Sequence, residues 1–260
     1  NKLLALSADE RERGVVSAST GNHGAAVAYG AQKLGIQCTI YVPKDASPVK
    51  LENMDLHEAD IEYVGNDCIE CETKARDVSG KTGKTYVSPY NDPFVVAGQG
   101  TIGVEIESQC DGFDAIIISV GGGGLIAGIG NYLKSVWPDI QVFGCSPENS
   151  AVMIHSMAAG KVLDLESKPT LSDGTAGGVE KDSITFPICC EVIDETVLVT
   201  EEEIREAIIL YMQQEHQLLE GAAGTAVAAM IQMKQELQGK RVGVVICGGN
   251  ISLDTLREIL

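Results

Sequence analysis

The sequence is poor in basic residues, aromatic side chains and long apolar runs. Lysine and arginine total 19 against 37 aspartate and glutamate residues, which gives a formal net charge of −18, and aromatic residues make up 5% of the 260 residues. Such an acidic chain repels nucleic-acid phosphates and anionic lipid, and no dense basic patch counters that repulsion, so we expect neither a nucleic-acid nor a membrane partner. The longest nearly apolar run, residues 115–130, contains six glycines. It is shorter than the roughly 18 residues that a membrane helix needs.

The chain also has no charged segment followed by an apolar segment at its start, as a signal peptide would have. Its eight cysteines follow no disulfide framework, so we expect free thiols and a cytoplasmic protein. Cys68 and Cys71 have no second pair nearby, and the four histidines lie far apart, so the sequence predicts no metal site. The chain begins with Asn1 and not with methionine, from which we expect that the visible start is not the start of the gene.

From Gly14 onward, short apolar runs alternate with helical patterns, which is typical of an α/β fold with a largely parallel sheet. The predicted strands are 15–17, 39–42, 62–64, 86–87, 115–120, 141–144, 196–200 and 242–246. The predicted helices are 1–13, 23–34, 48–58, 67–78, 95–109, 125–136, 201–215, 222–236 and 253–260. No cap residue precedes the first of them, whereas Thr200 and Glu203 form a capping box. Residues 158–187 are predicted to be irregular and functional.

Three glycine-containing turns follow three of these strands. They are Ser19-Thr20-Gly21-Asn22-His23-Gly24, Gly121-Gly122-Gly123-Gly124 and Cys247-Gly248-Gly249-Asn250. Free backbone N–H groups and the positive end of the following helix favour a bound anion at such turns. Because ligands of open α/β sheets bind beyond the carboxyl ends of strands, we expect the three turns to converge on one crevice. Taken singly, each turn could also serve only as a tight connection between strand and helix.

A dinucleotide site is the alternative interpretation of the second turn. Residues 122–127 match the pattern G-x-G-x-x-A, and Glu148 follows the next strand where a ribose-binding acid would lie. This pattern would indicate a nicotinamide-dependent dehydrogenase. It usually follows the first strand of its domain, however, and here it lies in mid-chain, which favours a phosphate site for a smaller cofactor.

In this order, the three turns resemble those of the fold-type II pyridoxal-phosphate enzymes, which have a tryptophan synthase β-like fold. Within that family the chain is similar to the branch of threonine/serine dehydratases (ammonia-lyases) and serine racemases. The resemblance covers essentially the whole chain, including residues 42–44, 97–101 and 220–224. It implies a two-domain parallel-sheet protein. With the boundary at the loop 88–93, residues 1–92 form a small domain whose N-terminal part is missing, and residues 93–260 form a large domain that binds the cofactor phosphate.

The resemblance also implies a role for individual residues around pyridoxal 5'-phosphate. The phosphate would be held by Gly121, Gly122, Gly123, Gly124 and Leu125, the phenolic oxygen by Asn22 and the pyridine nitrogen by Cys247, with Glu220 close to the cofactor. The substrate carboxylate would be surrounded by Ser19, Thr20, Asn22 and His23. On the alternative interpretation, Cys247 is a small buried apolar residue and Glu220 serves the helix dipole.

The residue types suit an elimination. A thiol is a weak, neutral partner for the pyridine nitrogen, so it does not stabilise the protonated ring, and the cofactor is then a weaker electron sink. Such a site suits loss of a β-substituent better than transamination. The implied enzyme is a homodimeric lyase that converts a β-hydroxy amino acid such as threonine or serine into a 2-oxo acid and ammonia.

Three departures from the family pattern narrow this expectation. The stretch that carries the Schiff-base lysine is absent, so we expect that lysine upstream of Asn1 and no turnover by the chain as printed. A non-catalytic protein that binds pyridoxal phosphate or an amino acid is therefore a further alternative. Thr20 stands where racemases have a serine, which disfavours racemisation. Ser146 and Val152 stand where racemases have acidic cation ligands, so no cation site is expected.

Overall fold

A computed structural model describes residues 1–44, 46, 48–66 and 68–260. The chain forms two compact units, Asn1–Val95 and Val96–Leu260. Each unit contains a four-stranded parallel sheet. The α/β class predicted from the sequence is therefore confirmed.

The first unit alternates helices and strands. Its elements are α1 (Ala8–Arg13), β1 (Val15–Ala18), α2 (Asn22–Leu34), β2 (Cys38–Val42), α3 (Pro48–Leu56), β3 (Asp60–Tyr63), α4 (Cys68–Thr82) and β4 (Thr85–Tyr86). The strands lie in the order β3-β2-β1-β4. Helices α2 and α3 pack on one face of the sheet, where Val27, Met54 and Ile40 belong to the same buried core. Helix α4 covers the other face with Cys71 and Ala75.

The second unit has the same alternation with additional helices. Its elements are α5 (Pro93–Gln109, which begins in the last residues of the first unit), β5 (Ala115–Ser119), α6 (Gly124–Val136), β6 (Gln141–Pro147), α7 (Val152–Ala159), a 3-10 turn (Asp173–Thr175), α8 (Thr185–Val192), β7 (Glu195–Val199), α9 (Glu201–Glu215), α10 (Gly221–Gln232), β8 (Val242–Val244) and α11 (Leu253–Ile259). The strands lie in the order β7-β6-β5-β8.

The central strand of the second sheet, β5, is buried along its whole length. Ala115 and Ile117 face the core formed with α9 and α10, whereas Ile116 and Ile118 face the core formed with α6 and α8. Burial on both faces explains why this strand is a continuous apolar run and not an alternating one.

All eight predicted strands are present, within a few residues at their ends. Two helices, α7 and α8, lie where the sequence predicts none, and α8 begins inside the predicted irregular segment. The prediction of a helix over residues 1–13 was wrong. Helix α1 begins at Ala8, because Ser7 caps it and forms a capping box with Glu10.

The second capping box is confirmed. The Thr200 hydroxyl accepts the Glu203 N–H at 3.2 Å, and the Glu203 carboxylate accepts the Thr200 N–H at 2.8 Å. The seven cysteines whose side chains the structure describes, which are all but Cys68, are free thiols. In the described part of the chain, no helix has both the length and the apolar character required to cross a bilayer.

Candidate functional site

The glycine turn of the second unit connects the end of β5 to the start of α6. Gly123 occupies the N-cap position with φ +85°, a left-handed conformation that side chains other than glycine rarely adopt. Its carbonyl accepts the Ala127 N–H at 2.9 Å, which starts the helix. The N–H groups of the first turn of α6 have no acceptor within the helix, so they and the helix dipole present positive potential at this turn.

Neighbouring segments pack against the glycine turn too closely for side chains. A Cβ added at Gly121 would lie 2.7 Å from the carbonyl oxygen of Thr175 and 2.8 Å from its Cα, both of them backbone atoms. A Cβ at Gly123 would lie 2.6 Å from the Cys189 sulfur. The turn therefore needs glycine for its packing as well as for its backbone conformation.

Side chains of helix α8 contact the carbonyl groups of the same glycine turn. The buried Thr185 hydroxyl donates to the Gly122 carbonyl at 2.6 Å and lies 2.6 Å from the hydroxyl of Ser183. The Cys189 thiol lies 3.8 Å from the Gly123 carbonyl. The sequence did not indicate Ser183 or Thr185, because they lie in the segment predicted to be irregular, and it predicted no helix at Cys189. Thr185 preceding a short apolar run was the available signal for a helix start.

The third turn follows β8, where Cys247 is half-buried. Burial is the main cause that raises the pKa of the Cys247 thiol to about 11, and the nearby Glu220 carboxylate raises it further, while hydrogen bonds with the backbone and with Ser119 act in the opposite direction. The thiol is therefore protonated and neutral near pH 7. Ser119, at the end of β5, donates to the Ala222 carbonyl at 2.5 Å, which connects this edge of the sheet to the start of α10.

Glu220 is buried and occupies the N-cap position of α10. Its carboxylate accepts the Asn250 N–H at 3.1 Å, and its backbone N–H donates to the Gly248 carbonyl at 3.2 Å. A Cβ at Gly248 would overlap the carboxylate. Glu220 thus holds the turn that carries Cys247.

The 3-10 turn lies between these groups. Thr175 packs on Gly121, as described above, and a Cβ at Gly174 would lie 3.7 Å from a Glu220 carboxylate oxygen. The structure therefore brings the glycine turn, Glu220 and the Cys247 turn together at the carboxyl edge of the second sheet. Leu125 is half-buried, and its side chain packs into the core on the α6 side, so only its backbone is suited to face an anion.

In the first unit, the turn Ser19-Thr20-Gly21-Asn22-His23 connects β1 to α2. Ser19 and Thr20 are half-buried and Asn22 is exposed. The Ser19 hydroxyl accepts the Gly21 N–H at 3.1 Å. Polar side chains therefore surround the N-terminus of α2.

His23 is held by its Nε2 atom, which lies 3.1 Å from the Val87 carbonyl and 3.0 Å from the Ser17 hydroxyl. Since a carbonyl only accepts and Ser17 already donates to the same Val87 oxygen at 2.8 Å, Nε2 carries the proton. Burial is the main cause that lowers the pKa of His23, and the hydrogen bond to Val87 opposes it. The ring is thus neutral near pH 7, with Nδ1 unprotonated.

The groups of the second unit fit pyridoxal phosphate by their chemistry. The glycine turn has no room for side chains and lies at the start of a 13-residue helix, so its N–H groups suit the dianionic phosphate. The neutral Cys247 thiol suits an uncharged pyridine nitrogen. The described residues contain no group of three or more His, Cys, Asp or Glu side chains that could hold a metal ion. At the position of the racemase cation ligands, the buried Ser146 hydroxyl donates to the Val120 carbonyl at 2.6 Å.

Comparison with known proteins agrees with this chemistry. A family model described as "Pyridoxal-phosphate dependent enzyme" matches residues 1–248. The chain is 41% identical over 260 residues to the L-threonine ammonia-lyase of Thermotoga maritima, and the match covers 100% of this chain and 64% of that protein. It is 36% identical over 261 residues to the catabolic L-threonine dehydratase TdcB of Escherichia coli K12, and this match covers 100% of this chain and 79% of that protein. The chain thus spans less than two thirds of the length of the Thermotoga relative.

Solved structures show the same fold. Threonine deaminase isoform 2 of Solanum lycopersicum, in its processed form, matches with a TM-score of 0.94 at 32% identity and covers 100% of this chain and 76% of its own. Maize serine racemase matches with a TM-score of 0.92 at 28% identity, and the match covers 99% of this chain and 79% of the racemase. These matches decide against the nicotinamide-dependent alternative. The resemblance stated from the three turns is confirmed: the chain belongs to the family of pyridoxal-phosphate dependent enzymes.

Proposed function

We propose that this protein acts in the dehydration and deamination of a β-hydroxy amino acid, threonine or serine, to a 2-oxo acid and ammonia. The elements of water leave the substrate from Cα and Cβ, and water then releases the nitrogen as ammonia, so the net products are one 2-oxo acid and one ammonia. The relatives support this class of reaction, since they include a threonine ammonia-lyase and a threonine dehydratase.

The observation that carries the proposal is the neutral Cys247 thiol beside the glycine turn. When bound, pyridoxal phosphate withdraws electrons from Cα and makes its proton acidic. The Cys247 thiol, whose pKa is raised to about 11, offers the pyridine nitrogen a neutral partner, so it does not stabilise the protonated ring. Elimination of the β-hydroxyl is then favoured over reactions that need a stronger electron sink.

The other residues of the second unit bind and orient. The backbone N–H groups of Gly121, Gly122, Gly123, Gly124 and Leu125 hold the phosphate in this proposal. Glu220 acts as a positioning residue, because its carboxylate holds the Asn250 N–H in the turn that carries Cys247. Close packing of Thr175 on Gly121 and of Cys189 on Gly123 leaves no room for a side chain at either position.

The turn of the first unit supplies the polar side chains. We assign the substrate carboxylate to Ser19, Thr20, Asn22 and His23, and the phenolic oxygen of the cofactor to Asn22. Because Nδ1 of His23 is unprotonated, His23 does not donate to the carboxylate from that atom. Its contribution is a backbone N–H at the start of α2 and a ring that fixes the turn.

The same proposal includes the organisation of the protein. The domain division near Asp92, a homodimer and a cytoplasmic location are proposed on the family likeness and on the cysteine distribution. Thr20 in place of a serine leads us to propose that elimination exceeds racemisation, although maize serine racemase is among the structural matches. The predicted Schiff-base lysine upstream of Asn1 stays a prediction.

The test is an assay of the protein produced at the length that its gene encodes. It is loaded with pyridoxal phosphate and incubated with L-threonine or L-serine, and 2-oxo acid, ammonia and D-serine are measured. We expect equal amounts of 2-oxo acid and ammonia and little D-serine. Retention of the cofactor without ammonia release would instead support the non-catalytic binding protein. Excess D-serine would support a racemase.

A further inference from the structure

The glycine turn of the second unit is held from behind by two buried hydroxyl groups. Ser183 and Thr185 lie 2.6 Å apart through their hydroxyl oxygens, and the Thr185 hydroxyl lies 2.6 Å from the Gly122 carbonyl oxygen. Both side chains are buried, with 6% and 0% exposure.

The direction of each hydrogen bond follows from the number of protons. A carbonyl oxygen only accepts, so Thr185 donates its single hydroxyl proton to Gly122. The contact between the two hydroxyls therefore has Ser183 as donor and Thr185 as acceptor. The Ser183 oxygen in turn accepts the Thr185 N–H at 3.3 Å, which leaves every hydroxyl of this relay satisfied. We name this arrangement the Ser183–Thr185 relay.

The relay determines which way one peptide group of the turn points. The described part of the chain has no cis peptide bonds, so the Gly122 carbonyl and the Gly123 N–H point in opposite directions within the plane of one trans peptide group. With the carbonyl directed at Thr185, the Gly123 N–H is directed away from α8. The Cys189 thiol, 3.8 Å from the Gly123 carbonyl, contacts the next peptide group from the same helix.

A glycine sequence does not fix this orientation by itself. Glycine populates positive and negative φ about equally, so the peptide plane between two glycines has several accessible orientations. An external contact that selects one of them reduces the entropy lost when the N–H groups bind an anion.

We propose that Thr185, supported by Ser183, is a positioning residue that directs the Gly123 N–H toward the cofactor phosphate. The inference rests on the phosphate-binding role proposed above for the glycine turn. Thr185 itself does not touch the cofactor in this proposal, and its effect passes entirely through the backbone of the turn.

The experiment compares two ligands that differ only in the phosphate. Dissociation constants of pyridoxal 5'-phosphate and of pyridoxal are measured by fluorescence titration for wild-type full-length protein and for Thr185→Val, Thr185→Ser and Ser183→Ala. We expect Thr185→Val to weaken pyridoxal-phosphate binding roughly 10-fold, as for one lost charge-assisted contact, and to leave pyridoxal binding within about twofold. Thr185→Ser, which keeps the hydroxyl, should stay within about threefold of wild type for both ligands.

Thr225→Val is the matched control. Thr225 is equally buried, at 0% exposure, and its hydroxyl also donates to a glycine carbonyl, that of Gly221 at 3.0 Å, but inside α10. Its replacement should lower the unfolding temperature without changing the ratio of the two dissociation constants. The phosphorus-31 resonance of bound pyridoxal phosphate should move in Thr185→Val and not in Thr225→Val.

Two results would overturn the inference. The first is a Thr185→Val variant whose ratio of the two dissociation constants equals that of wild type. The second is a Thr225→Val variant in which this ratio changes as much as it does in Thr185→Val. If Thr185→Val does not fold, Ser183→Ala decides, since loss of the outer hydroxyl should weaken pyridoxal phosphate about twofold to threefold and leave pyridoxal unchanged. A wild-type protein that binds pyridoxal phosphate no better than pyridoxal would contradict the proposed phosphate site itself, which distinguishes the two failures.

Discussion

The sheets of the two units have equivalent topology, but the turns after their first strands, β1 and β5, present different chemical groups. In each unit the first strand lies between the second and the fourth, as the orders β3-β2-β1-β4 and β7-β6-β5-β8 show. The chain leaves that strand through a glycine-containing turn and enters a 13-residue helix, α2 or α6. This position, where the strand order reverses, is where open α/β sheets bind ligands.

The turn after β1 presents side chains and the turn after β5 presents backbone. Asn22 is exposed, and His23 holds its turn through Val87 and Ser17. By contrast, Gly123 and Gly124 are buried, and Thr185 holds the carbonyl of the preceding Gly122. Topology therefore sets where a binding turn lies. The residues in the turn set whether it recognises its ligand with side chains or with N–H groups.

The largest test of this contrast compares glycines of the two turns. Gly121→Ala places a methyl group 2.7 Å from the Thr175 carbonyl oxygen and should destabilise the protein by about 1–3 kcal/mol. It should also weaken pyridoxal phosphate by at least about 100-fold, because the shifted turn loses several phosphate contacts. Urea unfolding and fluorescence titration measure the two effects.

Gly21→Ala is the matched change in the first unit. Position 21 has φ −110°, and no atom lies within 4 Å of an added Cβ. The free energy of unfolding should change by no more than about 0.5 kcal/mol. Equal destabilisation by both substitutions would contradict the distinction between a packed turn and an open one.

The next effect is expected at Asn22. Asn22→Ala should lower kcat/KM for threonine roughly 10- to 100-fold, because a hydrogen bond to a charged oxygen is lost. The unfolding temperature should stay close to that of wild type, since the side chain is exposed. Steady-state kinetics and calorimetry on the same preparation separate the two quantities, and a fall in stability without a fall in kcat/KM would oppose a binding role.

Substitutions of Cys247 test a side chain that lies near the glycine turn of the second unit. Cys247→Asp should reduce the rate of 2-oxo acid formation by about 10-fold and increase transamination, because a carboxylate stabilises the protonated pyridine nitrogen. Cys247→Ser keeps a neutral partner and should retain most of the rate.

The pH profile gives a second measurement at the same residue. With the pKa of the thiol raised to about 11, Cys247 stays protonated up to about pH 9, so the rate of wild type should show no titration of this group in that range. A step in the rate near pH 8 that disappears in Cys247→Ser would show that the thiol ionises and would contradict its neutral role.

The smallest effect concerns His23 and the stability of its turn. Burial lowers the pKa of His23 in the folded protein, so below about pH 6.5 the unfolded chain takes up a proton that the folded ring resists. Stability is therefore lost as the pH falls. The unfolding temperature of wild type should decrease more steeply between about pH 7.5 and 5.5 than that of His23→Gln.

His155→Gln is the control for this measurement, because His155 is an exposed residue of α7. Its pH dependence should follow wild type. A parallel decrease in wild type and His23→Gln would show that other groups carry the pH dependence.

Much of the fold could be predicted from the sequence because local signals and tertiary structure agree. The strands of the second sheet are apolar and β-branched, and the capping box of Thr200 and Glu203 marks the start of α9. The prediction of a helix over residues 1–13 was wrong because it followed the apolar pattern and not the capping residue Ser7, which marks the start of α1. Helix α8 was missed because its eight residues follow a long segment rich in glycine and polar residues.

The α/β class, the three strand-end turns and the family to which they point could all be inferred from the order of residues along the chain. These follow from short-range patterns of apolar residues, glycines and capping residues, which the chain carries in order. Three contacts became visible in the folded chain alone: Glu220 holds the Cys247 turn, Thr175 packs on Gly121, and Thr185 donates to the Gly122 carbonyl. The two hydrogen bonds among these contacts join residues 30 and 63 positions apart. No local periodicity encodes which distant hydroxyl or carboxylate meets a given peptide group.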